Sequence, residues 1–133
     1  ISSYYIKLGQ SSSTLSGGES QRIKLAYFLS MNSSLDRPES KKIMFVFDEP
    51  TTGLHFYDVE RLLKAFDALL EKGHTVVVVE HNMDVIRAAD WVIELGPDAG
   101  DAGGRLVFEG TPEQLAAKGK TYTAKYLRLA RNS

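Results

Sequence analysis

The chain has 133 residues, 43% of them apolar and 25% charged, with a formal net charge of -1 and no cysteine. That suffices for one ordinary hydrophobic core and leaves no means for a disulfide framework or a thiolate metal site. No overall basic field announces nucleic acid or an anionic surface, and no apolar stretch approaches the roughly 20 residues of a membrane helix.

The absence of cysteine is compatible with a reducing compartment, and the N-terminus does not read as a signal peptide. The chain opens with Ile1 rather than Met and soon turns polar, so a piece of a larger protein is expected. Tyr4, Tyr5, Ile6 and Leu8 make a short apolar lead-in broken by Gly9, and the serines before Leu15 extend it into a flexible stretch over residues 1–14. The character then changes at Leu15-Ser16-Gly17-Gly18-Glu19-Ser20-Gln21-Arg22. The glycines leave backbone N–H groups uncovered, Ser16 offers a capping oxygen, and Ile23, Leu25, Ala26, Phe28 and Leu29 continue at helical spacing. A glycine-rich helix start of this kind suits an anion such as a phosphate. Taken alone, Ser-Gly-Gly reads first as an ordinary N-cap after a loop.

Asn32 to Lys42 is polar and contains Pro38, which predicts a loop. Ile43 to Phe47 is apolar on both faces, as suits a strand inside a parallel sheet covered on both sides. Asp48 and Glu49 stand at its carboxyl end, where open α/β sheets place their ligands, and Pro50 stops it. After the turn Thr51-Thr52-Gly53-Leu54-His55, Val59, Leu62, Leu63, Phe66, Leu69 and Leu70 form one stripe of an amphipathic helix ended by Gly73. Thr75 to Val79 is the second strand, so a right-handed unit of parallel strand, helix and strand is expected. It closes on Glu80 and His81, at the same sheet edge as Asp48 and Glu49.

Asn82 can cap a helix from Met83 to Ala89, Trp91 to Leu95 is a third strand, and Gly96 to Gly104 is turn chemistry. Arg105 to Glu109 predicts an antiparallel return. Thr111-Pro112-Glu113-Gln114 is a capping box for a helix to about Lys118, and a last helix spans Thr123 to Arg131. His55 falls near a helix start and His74 reads as a turn residue, neither with a claim to metal. Arg22, Lys24, Arg61, Lys64, Lys125, Arg128 and Arg131 read as solvated helix faces rather than a groove reader.

Each motif is weak alone, and their order makes them specific. LSGGESQR, a strand ending FDEP, the turn at Thr52-Gly53-Leu54 and a strand ending in Glu80-His81 resemble the ATP-binding cassette (ABC) ATPases. They match the signature motif, Walker B strand, D-loop and switch histidine of that class. GES within the signature, PTTGLH, VVEHNMDVIRAADWVIELGPDAGDAGG and VFEGTPEQL further resemble the UvrA family, the damage-sensing ATPases of the excinuclease, in particular their second, C-terminal cassette. The resemblance runs from about Tyr4 onward.

What it implies is a partial P-loop NTPase fold, α/β, with a mostly parallel sheet, flanking helices and the Walker A strand missing. It implies a cytoplasmic, homodimeric protein that binds ATP and damaged DNA in nucleotide excision repair and works with a UvrB-like partner, without a membrane partner. Zinc modules would lie outside these residues. Ser16, Gly17, Gly18, Glu19 and Gln21 of the signature and Thr52 and Gly53 of the D-loop become nucleotide contacts. The signature would serve ATP held by an opposite cassette. Magnesium accepts few protein carboxylates, so Asp48 suits it, through water. Neighbouring side chains of an extended strand point to opposite faces, which leaves Glu49 as the base that orients water. By the resemblance His81 is the sensor of the γ-phosphate.

No GxxxxGK[ST] occurs, so the loop that cradles the β-phosphate is absent and neither half-site is complete. The chain alone is expected to be inactive as an ATPase. The absent strand would leave sheet edges open to a contact or dimer that is not the biological one. A transporter nucleotide-binding domain fits less well, given GLH and the glycine-rich loop. A non-catalytic interaction module fits less well given intact Asp48, Glu49 and His81.

Overall fold

The computed structural model describes residues 17–31, 42–96 and 104–129. The expected lead-in, Ser16, most of the loop before Ile43, the greater part of the glycine-rich loop and Arg131 lie outside the described residues. The elements run α1 (Gly17–Met31), β1 (Met44–Asp48), α2 (Phe56–Glu71), β2 (Thr75–Val79), α3 (Met83–Ala88), β3 (Val92–Gly96), β4 (Arg105–Gly110), α4 (Pro112–Lys118) and α5 (Tyr122–Leu129). They fall into two compact units, Ile1–Glu80 and His81–Ser133.

In the first unit β1 and β2 pair in parallel, from Met44 opposite Thr75 to Asp48 opposite Val79. The connection is α2, which buries Val59, Leu62, Phe66 and Leu69 at helical spacing. Each such burial contributes about 1.5–3 kcal/mol. Leu70, at the margin of the predicted stripe, is exposed. The helix stops at Gly73, whose φ of 77° is a left-handed conformation that costs glycine little. The missing side chain also admits Lys42, whose Nζ donates to Lys72 O at 2.9 Å and would lie 2.6 Å from a Cβ on Gly73.

Leu25 of α1, Phe47 of β1 and Leu62, Phe66 and Leu69 of α2 form the core, with Phe28, Phe45, Val76 and Val78 packed against it. Rings run through it, with Phe28 edge-on to Phe45 at 4.8 Å and Phe47 tilted on Phe66 at 4.9 Å. Both helices therefore cover the same face of the strand pair. The expectation that β1 is covered on both sides is corrected here: Met44 and Val46 are 63% and 65% exposed, and Val77 and Val79 beside them are open too. Alternation decides it, because only Phe45 and Phe47 point toward the helices. Ile23 of α1 likewise points to solvent.

His74 is more than a turn residue. It is buried, its Nδ1 accepts the Ile43 N–H at 3.3 Å, and its ring lies 5.6 Å from Phe45 and 6.0 Å from Phe28. An acceptor at Nδ1 places the proton of the neutral ring on Nε2. Burial, and then the charges of Lys42 and Lys72, hold its pKa below the ordinary value.

In the second unit Asn82 caps α3 by accepting from Asp84 N and Val85 N. β3 and β4 pair antiparallel, from Val92 opposite Gly110 to Gly96 opposite Arg105, with an irregularity at Glu94/Leu95. Among the described residues, then, one strand pair is parallel and the other antiparallel, and β3 starts at Val92 rather than Trp91. Thr111 and Gln114 form the expected capping box of α4. Leu115, Ala116, Ala124 and Leu127 make the core, against Met83, Ile86, Val92 and Phe108. Thr121 receives the Ala124 N–H at 3.3 Å to start α5 and donates its hydroxyl to Glu94 at 2.8 Å.

His74 sets a pH dependence of stability. Its folded pKa lies below the unfolded value near 6.5, so the neutral ring stabilises the fold fully above that pH. Stability falls as pH drops from about 6.5 toward the folded pKa, because the unfolded chain takes up the proton first. Urea unfolding between pH 8 and pH 5 should show this decline, and His74→Gln should flatten that part of the profile.

Candidate functional site

The carboxyl end of β1 is where the sequence motifs meet. The strand ends at Asp48, and Glu49 turns the chain with φ 47°, the one non-glycine residue at positive φ among those described. Its N–H still reaches Val79 O at 2.8 Å. The expectation that Asp48 and Glu49 diverge as neighbours in an extended strand is corrected here. They are separated by this left-handed turn, because Glu49 has already left the strand conformation. Pro50 behind it is fully buried.

Several groups hold the turn. Thr52 donates its N–H and its hydroxyl to Glu49 O, at 3.2 and 2.9 Å. Thr51 donates its N–H to Glu80 Oε1 at 2.9 Å, and its hydroxyl donates to the same oxygen. Glu80, given no role from sequence, thus ties the end of β2 to the turn.

The glycine-started helix α1 lies against the same turn. Gln21 Nε2 donates to Asp48 O at 2.6 Å, and Asp48 N donates to Gln21 Oε1 at 2.7 Å. Arg22 donates to Pro50 O at 2.6 Å and to Thr52 O at 3.0 Å. Arg22, expected on a solvated helix face, is bound to the turn instead, and only its place directly after the signature could have hinted at that. Arg128 is a similar case, donating to Ala116 O and Gly119 O. Arg61 and Lys64 do sit on a solvated face, where Lys64 pairs with Glu60 at 2.9 Å.

The two glycines differ. Among the described residues, a Cβ on Gly17 would meet nothing within 4 Å, as the anion-site reading requires of a helix start. A Cβ on Gly18 would lie 2.9 Å from an Arg22 nitrogen, 3.2 Å from Glu49 O and 3.3 Å from Thr52 Cβ. Gly18 therefore serves close packing on the turn rather than access. Glu19 is exposed, and so is Gly53, at φ 75°. Asp48, Glu49, Thr52, Gly53, Gly17, Gly18, Glu19 and Gln21 are thus all in the first unit, on α1, at the end of β1 or in the turn after it, and Gly18 and Gln21 of these α1 residues touch the turn. His81 opens the second unit as an exposed residue next to the Asn82 cap, and Ser16 is outside the described residues. His55 precedes α2 and offers its carbonyl to Asp58 N and Val59 N.

The exposed carboxylate of Asp48 fits a water-mediated magnesium contact. Among the described residues no three His, Asp or Glu side chains converge to hold a metal by themselves. No described helix is long and apolar enough to cross a membrane.

The docking of the glycine-started helix on the strand-end Asp-Glu turn brings together two of the motifs that resemble the ABC ATPases, and comparison with solved structures agrees with that resemblance. The chain superposes on UvrA2 from Deinococcus radiodurans with a TM-score of 0.76 and 42% identity, covering 92% of this chain and 14% of that one. It is 52% identical over 124 residues to UvrABC system protein A of Streptomyces coelicolor and 54% identical over 124 residues to that of Aquifex aeolicus. Each alignment covers 93% of this chain, which spans only 12% and 13% of the length of those relatives. No family model matches. The resemblance to UvrA read from the motifs is thus shown, as a likeness to a small part of that protein.

The contrast between the glycines is testable by urea denaturation. Gly18→Ala should lower stability by about 1–3 kcal/mol through overpacking against the turn. Gly17→Ala should leave it within about 0.5 kcal/mol or raise it slightly.

Proposed function

We propose that this chain is the signature and hydrolytic portion of an ATP-binding cassette, the second and C-terminal one, in a UvrA-like protein of nucleotide excision repair. The observation that carries this reading is the docking of the Gly17–Gly18 helix start on the Asp48–Glu49 turn in a chain about half identical to UvrABC system protein A. In the longer protein, a homodimer would recognise damaged DNA and pass it to a UvrB-like partner. The fold completed there would be a mostly parallel P-loop NTPase sheet, with the strand and phosphate loop missing here supplied by the rest of the cassette. A cytoplasmic setting follows from that role.

Within the cassette, Asp48 holds magnesium through water, its backbone fixed by Gln21. Magnesium supplies charge that offsets the phosphates. Glu49 orients the attacking water and accepts its proton, projecting from a turn whose carbonyls are already engaged by Arg22 and Thr52. His81 contacts the γ-phosphate. Gly17, Ser16 and Glu19 face a nucleotide bound by the opposite cassette, with the open space at Gly17 leaving room for it. Thr52 and Gly53 line the path between the two sites.

Glu49→Gln in the longer protein should slow ATP turnover about 100-fold or more while leaving ATP binding intact; unchanged turnover would remove Glu49 from this role. The 133-residue chain alone should neither hydrolyse ATP nor bind it with submicromolar affinity, which calorimetry can measure.

A further inference from the structure

The backbone on either side of Glu49 is gripped by consecutive residues of one helix. Asp48, before it, presents an N–H and a C=O at the edge of β1 away from β2, and the Gln21 amide takes both, at 2.7 and 2.6 Å. A primary amide pairing in this way imitates a neighbouring strand. Pro50, after Glu49, is gripped through its carbonyl by Arg22 at 2.6 Å, and the same guanidinium nitrogen reaches Thr52 O at 3.0 Å. Glu49 between them holds φ 47°, which a non-glycine residue keeps only when its surroundings over-determine it. Gly18, one turn earlier on the helix, is packed so closely on Glu49 O that even a methyl group would press on it.

From this we infer that Gln21 and Arg22 are positioning residues for Glu49, a latch through which the docking of the glycine helix start sets the direction of the hydrolytic carboxylate. A displacement of α1 along its axis would move Gln21 and Arg22 together and release Asp48 and Pro50 at once. Nucleotide engaged at Gly17 would then favour the ordered Glu49 turn of the same chain, coupling one half-site to the other. The inference rests on the reading of Glu49 given above and adds residues that need not touch nucleotide.

Two measurements test it. In the 133-residue chain, Gln21→Ala should speed hydrogen exchange of the Asp48 amide at least tenfold, with little change at core amides such as Leu69. In the longer protein, Gln21→Ala and Arg22→Ala should each lower kcat for ATP by about 10- to 100-fold with KM nearly constant, since a small misplacement of a reacting group has that effect. Arg22→Lys, which keeps a donor near the two carbonyls, should recover part of the loss and guards against a variant that fails to fold. If Glu49→Gln abolishes turnover while Gln21→Ala and Arg22→Ala leave kcat unchanged, the latch is wrong and the hydrolytic reading stands. A rise in KM with kcat preserved would make Gln21 a nucleotide ligand and also overturn it. Full turnover with Glu49→Gln would instead remove the reading on which the latch depends.

Discussion

The edge of β1 at Asp48 is the point on which the first unit turns. A strand with one neighbour leaves every second residue with an N–H and a C=O facing outward, and at Asp48 the Gln21 amide satisfies both. Each such hydrogen bond contributes a net of about 0.5–1.5 kcal/mol. The left-handed backbone of Glu49 costs about 1–2 kcal/mol. The hydrogen bonds around it that involve Gln21, Arg22, Thr52 and the Val79 carbonyl together match or exceed that cost. The turn is therefore held by its surroundings, and those surroundings come from the glycine helix, the adjoining strand and the turn itself.

The same unit shows an imbalance between its faces. α1 and α2 share one side of the β1–β2 pair, where Phe28, Phe45, Phe47 and Phe66 interlock. The other side carries Met44, Val46, Val77 and Val79 in the open. In the second unit, Ile93, Leu95 and Leu106 are similarly uncovered on β3 and β4. Apolar residues on both faces are the mark of strands meant to lie between layers. Their exposure agrees with a chain that matches only 12–13% of the length of its relatives, since one helical layer cannot cover two faces.

What the sequence disclosed follows the strength of its local signals. The stripe Val59, Leu62, Phe66, Leu69, the stop at Gly73, the Asn82 cap and the Thr111–Gln114 capping box are short-range patterns with a direct physical cause, and each is present. The parallel pairing of β1 with β2 was readable because a helix separates two apolar runs. What could not be read were contacts spanning nearly thirty residues or more. Arg22 looks like any helix-surface cation until its carbonyl partners, Pro50 and Thr52, are brought beside it. Glu80 looks like a strand-end carboxylate until Thr51 comes within reach. His74 is hidden for another reason, since burial of a turn histidine depends on whether a ring such as Phe45 arrives to cover it.

The paired glycines of the signature show how one short motif can meet two requirements. At Gly17 none of the described residues would meet a side chain, which leaves room on that side of the helix start. At Gly18 the neighbourhood is full, and a side chain would push α1 away from Glu49 O and Thr52. Consecutive helix residues point about 100° apart, so adjacent positions can face a ligand and a turn at once. One turn later, Gln21 and Arg22 both reach the turn, on different sides of Glu49. The run from Gly17 to Arg22 thus fits α1 onto the Asp48–Glu49 turn through Gly18, Gln21 and Arg22, and the close approach at Gly18 is a packing requirement that holds whether or not a ligand is bound.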